Sequence, residues 1–443
     1  MKSYLSLIIL VFTTSLLTAQ EKKWTLQECI DHALKNNISI KQSELDLETS
    51  EIDKSDAIGS FIPSLNGSAS YSTNTGANIN PVTNEFENET FSSFTTGVSS
   101  SLTLFDGLRN IRQLQRAKLA RLASQYRLDK MKDDITLAVA NSYLQVLLNK
   151  ENLKVINSQN LVTLEQLQRT QDLVDAGVLP KGDLLEIAAQ DADEKQNIAV
   201  AENNVKISLI SLAQLLLIKD YEAFDVVDET YEIVPSEIIN KPVQEIIASA
   251  EENRNEVKIA EQNVALAEKD LQLTRSNYYP TLSAFFGYNT RYSDNDFFER
   301  SFTEQLWQND GIGYGLRLDV PIFNGFAVRN NVKRSKINLE LNKFQLEQAK
   351  LDLESNVYQA YVDVKGALKA YEASQKVVES QELAYEYAKE RYDVGLTNAF
   401  DFSQSKLRFD NAKINMNIAK YDYIFKLKVL ELYFGIEPED LKL

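Results

Sequence analysis

The chain has 443 residues, 44% of them hydrophobic, with 15 glycines, 8 prolines and a formal net charge of −17. So few breakers over that length predict long uninterrupted elements, and the acidic balance excludes a nucleic-acid surface, which needs clustered Lys and Arg against the phosphates. The sole cysteine, Cys29, and the sole histidine, His32, leave no disulfide framework, no Ser/His/Asp set and no metal-ligand spacing, so no enzyme, cofactor or metal site is expected.

The chain opens with Lys2, an apolar stretch from Leu5 to Leu17 and the small-residue exit Thr18-Ala19-Gln20, the layout of a secretory signal over residues 1–20. That stretch is short for a bilayer, and no later run approaches the ~20 apolar residues of a transmembrane helix. Cys29 follows Leu26-Gln27-Glu28, which does not mark a lipidated N-terminus; Cys29 and His32 read as ordinary helix residues. Opening helices run from about Leu26 to Phe61 and stop before Pro63, since the residue ahead of a proline avoids helical geometry.

Two strands come next, over about 64–105. Phe94, Thr96, Val98, Leu102 and Leu104 alternate with Ser93, Thr95, Gly97, Ser99, Ser101 and Thr103. A helix from Asp106 to Ala176 follows, about 70 residues long and thus ~100 Å if straight. Within it Val139, Val146, Leu153, Asn160, Leu167 and Val174 recur at every seventh residue, a coiled-coil seam. A turn at Gly177 returns the chain as a helix over Leu184 to Leu217.

The pattern then repeats. Ile322-Phe323-Asn324-Gly325 falls on Leu104-Phe105-Asp106-Gly107, and Gly395 and Asp401 fall on Gly177 and Asp183 at the same offset; Pro280 falls on Pro63 one residue short of it. The chain is therefore read as two copies of one unit, 21–240 and 241–443. The second has strands over about 281–323, with Ile312, Tyr314, Leu316, Leu318, Val320 and Ile322 alternating with Gly313, Gly315, Arg317, Asp319 and Pro321. Its long helix, Asn324 to Val394, repeats the seam at Val357, Val364, Tyr371, Val378, Tyr385 and Tyr392, and Phe402 to Phe434 runs back. Gly311-Ile312-Gly313-Tyr314-Gly315 lies inside a strand and is no nucleotide loop.

Strands of this pattern suit a transmembrane barrel, with a soluble two-sided sheet as the alternative. A spanning sheet must close, because open edges leave backbone groups unpaired in hydrocarbon. Four strands cannot close alone, so copies would pool theirs in a cyclic homo-oligomer above a hollow ring of helical hairpins. The rival from another class is a secreted coiled-coil stalk or adhesin without channel activity.

The strand-ending Val320-Pro321-Ile322-Phe323-Asn324-Gly325, its partner Leu104-Phe105-Asp106-Gly107 and the turn Arg391-Tyr392-Asp393-Val394-Gly395 leading to Asp401 resemble the TolC-like outer-membrane efflux proteins, over essentially all of the mature chain. The resemblance implies a mixed α/β membrane protein, a homotrimer with a twelve-stranded transmembrane β-barrel in outer-membrane lipid and a long coiled-coil α-helical barrel reaching into the periplasm. It further implies an exit duct of a tripartite efflux or type I secretion system, with a periplasmic membrane-fusion adaptor and an inner-membrane pump of RND or ABC type. Drug efflux and protein secretion both stay open.

By the same resemblance, Asp401 matches a gate aspartate, and Gln404 stands where the family carries a second acid. Asp183 and Glu186 occupy the equivalent first-copy positions, and close carboxylates around an axis would attract cations. Both aspartates can alternatively be helix N-caps. Arg391 and Tyr392 resemble tip-tethering residues, with an intramolecular seam role as the alternative for Tyr392. Tyr278, Tyr279, Phe105 and Phe323 flank the strand ends, as a membrane-interface girdle or as packed joints. The connections Gly76 to Thr90 and Ser293 to Asp310 read as polar, acidic loops facing outward.

Overall fold

The computed structural model describes residues 23–79, 85–228, 237–296 and 298–436; the signal read at 1–20 lies outside them. Strand β1 (Lys23–Trp24) precedes helices α1 (Leu26–Asn36) and α2 (Ile38–Gly59), strands β2 (Ser64–Ile79) and β3 (Phe86–Phe105), and helices α3 (Arg109–Asp175) and α4 (Lys181–Leu215). After β4 (Asp225–Val226) come α5 (Val243–Asn253), α6 (Asn255–Ser276), β5 (Thr281–Ser293), α7 (Phe302–Gln308), β6 (Gly311–Asp319), α8 (Ala327–Asp393) and α9 (Ala399–Phe434). Both α3 and α8 have 67 residues, and every seam position named above is buried or half-buried.

The chain divides into two compact units. One holds the residues up to Glu44, Arg127–Lys258 and Ala349–Leu443; the other holds Leu45–Tyr126 and Ile259–Gln348. In the first, α1 is started by a capping box in which Thr25 Oγ1 accepts from the Glu28 amide and Glu28 accepts from the Thr25 amide. Its apolar side, with the fully buried Cys29, packs on Val139, Tyr143 and Val146 of α3, Leu212 of α4, and Tyr421 and Ile424 of α9. The parallel pair β1–β4 lies against this core, tied by Lys150 Nζ to Asp225 at 2.5 Å and Lys23 Nζ to Asp225 at 3.0 Å. His32 meets the Trp24 ring edge-on.

The second unit carries a four-stranded antiparallel sheet, in the order β2-β3-β5-β6. Register sorts most of its side chains, because residues paired across strands share a face. One face bears Leu65, Tyr71, Phe94, Val98, Phe286, Tyr288, Ile312, Tyr314 and Leu316; the other bears Ser68, Ser70, Thr95, Gly97, Ser99, Gly287, Asn289 and Gly313, with Arg291, Arg317 and Asp319 and one aromatic, Phe285. The apolar face lies open, Tyr314 being 81% exposed.

Several expectations need correction. Strand β6 ends at Asp319, so Val320 and Ile322 lie outside it despite continuing the alternation; Pro321 has no amide to give a ladder. The β3–β5 register slips at Leu104, a bulge that sets Phe105, not Leu104, opposite Leu282. The supposed loop Gly76 to Thr90 is mostly strand, with 80–84 outside the described residues, and the Ser293 to Asp310 connection contains the helix α7, with Phe302 against Tyr292.

Each long helix starts from a reversal of two left-handed residues, Gly107 and Leu108 before α3, Gly325 and Phe326 before α8. Asp106 caps the first by accepting the amides of Arg109 (2.8 Å) and Asn110 (3.0 Å). A Cβ on Gly107 would stand 2.7 Å from Tyr279 Cβ, so only glycine fits there.

Candidate functional site

The helical hairpins reverse at the predicted glycines, for a visible reason. Gly177 (φ 72°) and Gly395 (φ 74°) adopt the left-handed conformation that ends α3 and α8. The next amides reach back across the last turn, Val178 to Leu173 O at 2.9 Å and Leu396 to Arg391 O at 2.8 Å.

Neither aspartate is an N-cap. Pro180 holds that position for α4 and makes no side-chain bond, while Asn398 holds it for α9 and accepts from the Asp401 amide at 2.8 Å. Asp183 and Asp401 lie in the first helical turns instead, favourable for a carboxylate facing the positive helix end. Asp401 also accepts from the Thr397 hydroxyl at 3.3 Å, which aims its carboxylate back toward the turn. Asp401, Gln404 and Glu186 are exposed and Asp183 half-buried. Glu186 and Gln404 line one cavity of ≈ 500 Å³, together with Asn149, Gln190, Glu194 and Asp410; Asp183 and Asp401 do not line it.

Behind these polar positions the two hairpins interlock. Ile187, Tyr392, Ala399 and Phe402 form a small buried cluster, with Tyr392 stacked on Phe402 at 5.1 Å. Tyr392 Oη and Thr170 Oγ1 are 3.0 Å apart, and Arg169 pairs with Asp393 at 2.8 Å. Tyr392 thus occupies a seam and also joins the hairpins, whereas Arg391 is exposed and the cation beside Tyr392 that pairs across the hairpins is Arg169.

Sequence reasoning missed a buried ionic cluster just above. Lys406 of α9, 2% exposed, pairs with Glu194 of α4 at 2.7 Å and with Asp410 at 3.4 Å. Glu194 also accepts from Thr163 (2.9 Å) and Asn160 (3.2 Å) of α3, so one carboxylate joins three helices. Burial pushes the Asp410 carboxyl up to about 6, Lys406 working against the shift and Glu194 adding to it. The available signal was Asn160, a polar residue in an apolar heptad seam, where such residues fix register.

Tyr278, Tyr279, Phe105 and Phe323 gather where strands give way to helices. All four are exposed, Tyr279 lying against Gly107 and Phe323 edge-on to Phe326. The apolar face also bears aromatics at its far end, where Tyr71 and Tyr292, which had not been singled out, flank Phe94.

Comparison with known proteins fits this architecture. The chain is 26% identical to outer membrane protein TolC of Vibrio cholerae over 308 residues, 67% of this chain and 66% of that protein. It is 25% identical to protein CyaE of Bordetella pertussis over 223 residues, 50% of this chain and 45% of that protein, so it spans about half to two thirds of these relatives. The fold matches the Campylobacter jejuni CmeC outer membrane channel with a TM-score of 0.79 at 19% identity, covering 93% of this chain and 85% of that one. The sequence model for the family described as outer membrane efflux protein matches residues 29–216 and 246–435. With that match over most of its length, this chain belongs to the outer membrane efflux protein family, whose place is the bacterial outer membrane and whose members are channels rather than enzymes.

Proposed function

We propose that the chain is the outer-membrane exit duct of a tripartite efflux or type I secretion system. Three copies pool four strands each into a twelve-stranded barrel, and their hairpins form the periplasmic tube, each chain contributing two related halves, 21–240 and 241–443. The observation that carries this is the sheet: one face is apolar and open, the other is mostly Ser, Thr, Gly, Asn and charged residues with the single aromatic Phe285, and the outer edges of β2 and β6 have no partner among the described residues. A lipid-facing wall with a wetted lumen accounts for both faces, and pooling of strands accounts for the edges.

The same reading makes the tip polar groups Asp401, Asp183, Glu186 and Gln404 the gate, repeated around a three-fold axis. Tyr392, with Arg169 and Arg391 near it, tethers the closed tip, and Tyr278, Tyr279, Phe105 and Phe323 sit at the inner membrane boundary. A periplasmic adaptor and an inner-membrane pump would dock on the tips to relax them. The test is planar-bilayer conductance of the detergent-purified protein. Low-conductance, cation-selective steps blocked by multivalent cations, and less sensitive to them in Asp401→Ala, support the duct and its gate. Folded protein that never inserts sinks the duct and favours a stalk, and a channel indifferent to Asp401 removes the gate assignment.

A further inference from the structure

The connection between β5 and β6 is built more firmly than a loop requires. Ser301 starts α7 through a capping box with Glu304. Gln305, 2% exposed, accepts from the Ser293 amide and donates to the Ser293 carbonyl, both at 2.9 Å, and Asn309 donates to the Arg291 carbonyl at 3.1 Å. Strand β6 pairs with β5 only as far as Asn289, so these amide side chains satisfy a stretch of β5 edge that β6 leaves open.

The helix is also fixed to one side of the sheet. The Thr290 hydroxyl donates to the Leu306 carbonyl at 2.6 Å, and the Phe302 ring lies 5.0 Å from Tyr292 and 5.7 Å from Phe94. Thr290, Tyr292 and Phe94 belong to the apolar face, alternate to Arg291 and Thr95. Helix α7 is therefore seated on the apolar side and not over the Ser/Gly side. Trp307 on it is 77% exposed, and Phe298 just before it is 71% exposed beside Arg300.

We propose that α7 is a membrane-interface anchor, and that Trp307 rests among the headgroups of the lipid flanking the barrel. The inference rests on the barrel reading above and adds an occupant for a surface that reading leaves bare. Lipid is the partner because the helix continues the apolar face that the barrel would turn to the bilayer. An indole, with an apolar body and one N–H donor, is stable where hydrocarbon meets headgroups and poorly placed in water. Held on the outer wall, this connection cannot lid the lumen.

Fluorescence can test this directly, because the chain has only two tryptophans, Trp24 and Trp307. In a Trp24→Phe background reconstituted into phosphatidylcholine vesicles, Trp307 emission should be blue-shifted. It should be quenched several-fold more by lipid brominated near the carbonyl than near the chain end, and little by aqueous iodide. Wild type compared with Trp307→Phe gives the same answer without touching Trp24, whose emission should ignore the bromines. Phe302→Ala, which unpins the helix, should restore iodide access. The inference is overturned if Trp307 behaves as a free indole, open to iodide and untouched by bromine, in vesicles whose conductance proves insertion. A preparation that neither inserts nor conducts overturns the barrel reading first, and this inference with it.

Discussion

Replacing Asp410 by Asn should change how stability depends on pH, in a direction opposite to ordinary acid denaturation. Its carboxyl titrates at about 6 in the folded chain against 3.8 unfolded, so the folded state holds that proton more tightly. The stabilisation from the bound proton is fully present below the unfolded value and is lost as pH rises through the folded one. A difference of roughly two pKa units corresponds to about 3 kcal/mol. Asparagine mimics the protonated form at every pH. Asp410→Asn should therefore exceed wild type by about 1 kcal/mol near pH 4.5 and by about 3 kcal/mol at pH 7, with no further gain above that.

Urea unfolding of the full chain in detergent, followed by helical circular dichroism from pH 4.5 to 8, gives the two curves whose difference matters. Because Glu194 is one source of the upward shift, Glu194→Gln should move the step to lower pH. It should also destabilise the hairpin by about 2 kcal/mol, because the buried Lys406 keeps only its longer contact with Asp410. Curves that stay parallel across the range, or a gap that widens toward acid, would refute the reasoning.

Other substitutions probe the tip and the sheet. Tyr392→Phe keeps the stack on Phe402 but loses the contact with Thr170; it should cost about 1 kcal/mol and raise single-channel conductance, and an unchanged conductance would remove the tether. Gly395→Ala, strained by φ 74° but free of any steric neighbour, should cost about 1 kcal/mol. Gly107→Ala, which drives a Cβ into Tyr279, should cut the yield of folded protein much further, and equal yields would refute the distinction. Leu316→Lys, on the apolar face, should cost about 2–4 kcal/mol of membrane stability, while Ser70→Lys on the opposite face should insert normally and alter only conductance; the reverse pattern would turn the sheet inside out.

The elements were largely legible because their signals are local and repeated. Period-two alternation located β3 and β6, heptads located α3 and α8, and the turn glycines were found because helix ends need a left-handed residue. What escaped depends on partners distant in sequence. The N-caps fell to Pro180 and Asn398 rather than to the acids nearby, since geometry at the turn, not residue preference alone, decides which oxygen faces the free amides. Strand β6 stopped at Asp319 although alternation ran on, because pairing with Thr281 ends there. The Lys406 cluster draws on three helices and left only Asn160 as a trace in the seam. Helix α7 was hidden by a polar composition whose amides turn out to close a strand edge.

The uneven outer strands have a consequence for biogenesis. Strand β2 has 16 residues and β6 has 9, and each presents an outer ladder of amides and carbonyls with no mate among the described residues. Such ladders adhere to any extended chain they meet. On the proposed assembly from several copies, an isolated copy would therefore be prone to stray strand pairing until those edges are met. Output should then follow the concentration of waiting copies steeply, so that weak expression wastes more material to degradation than strong expression does.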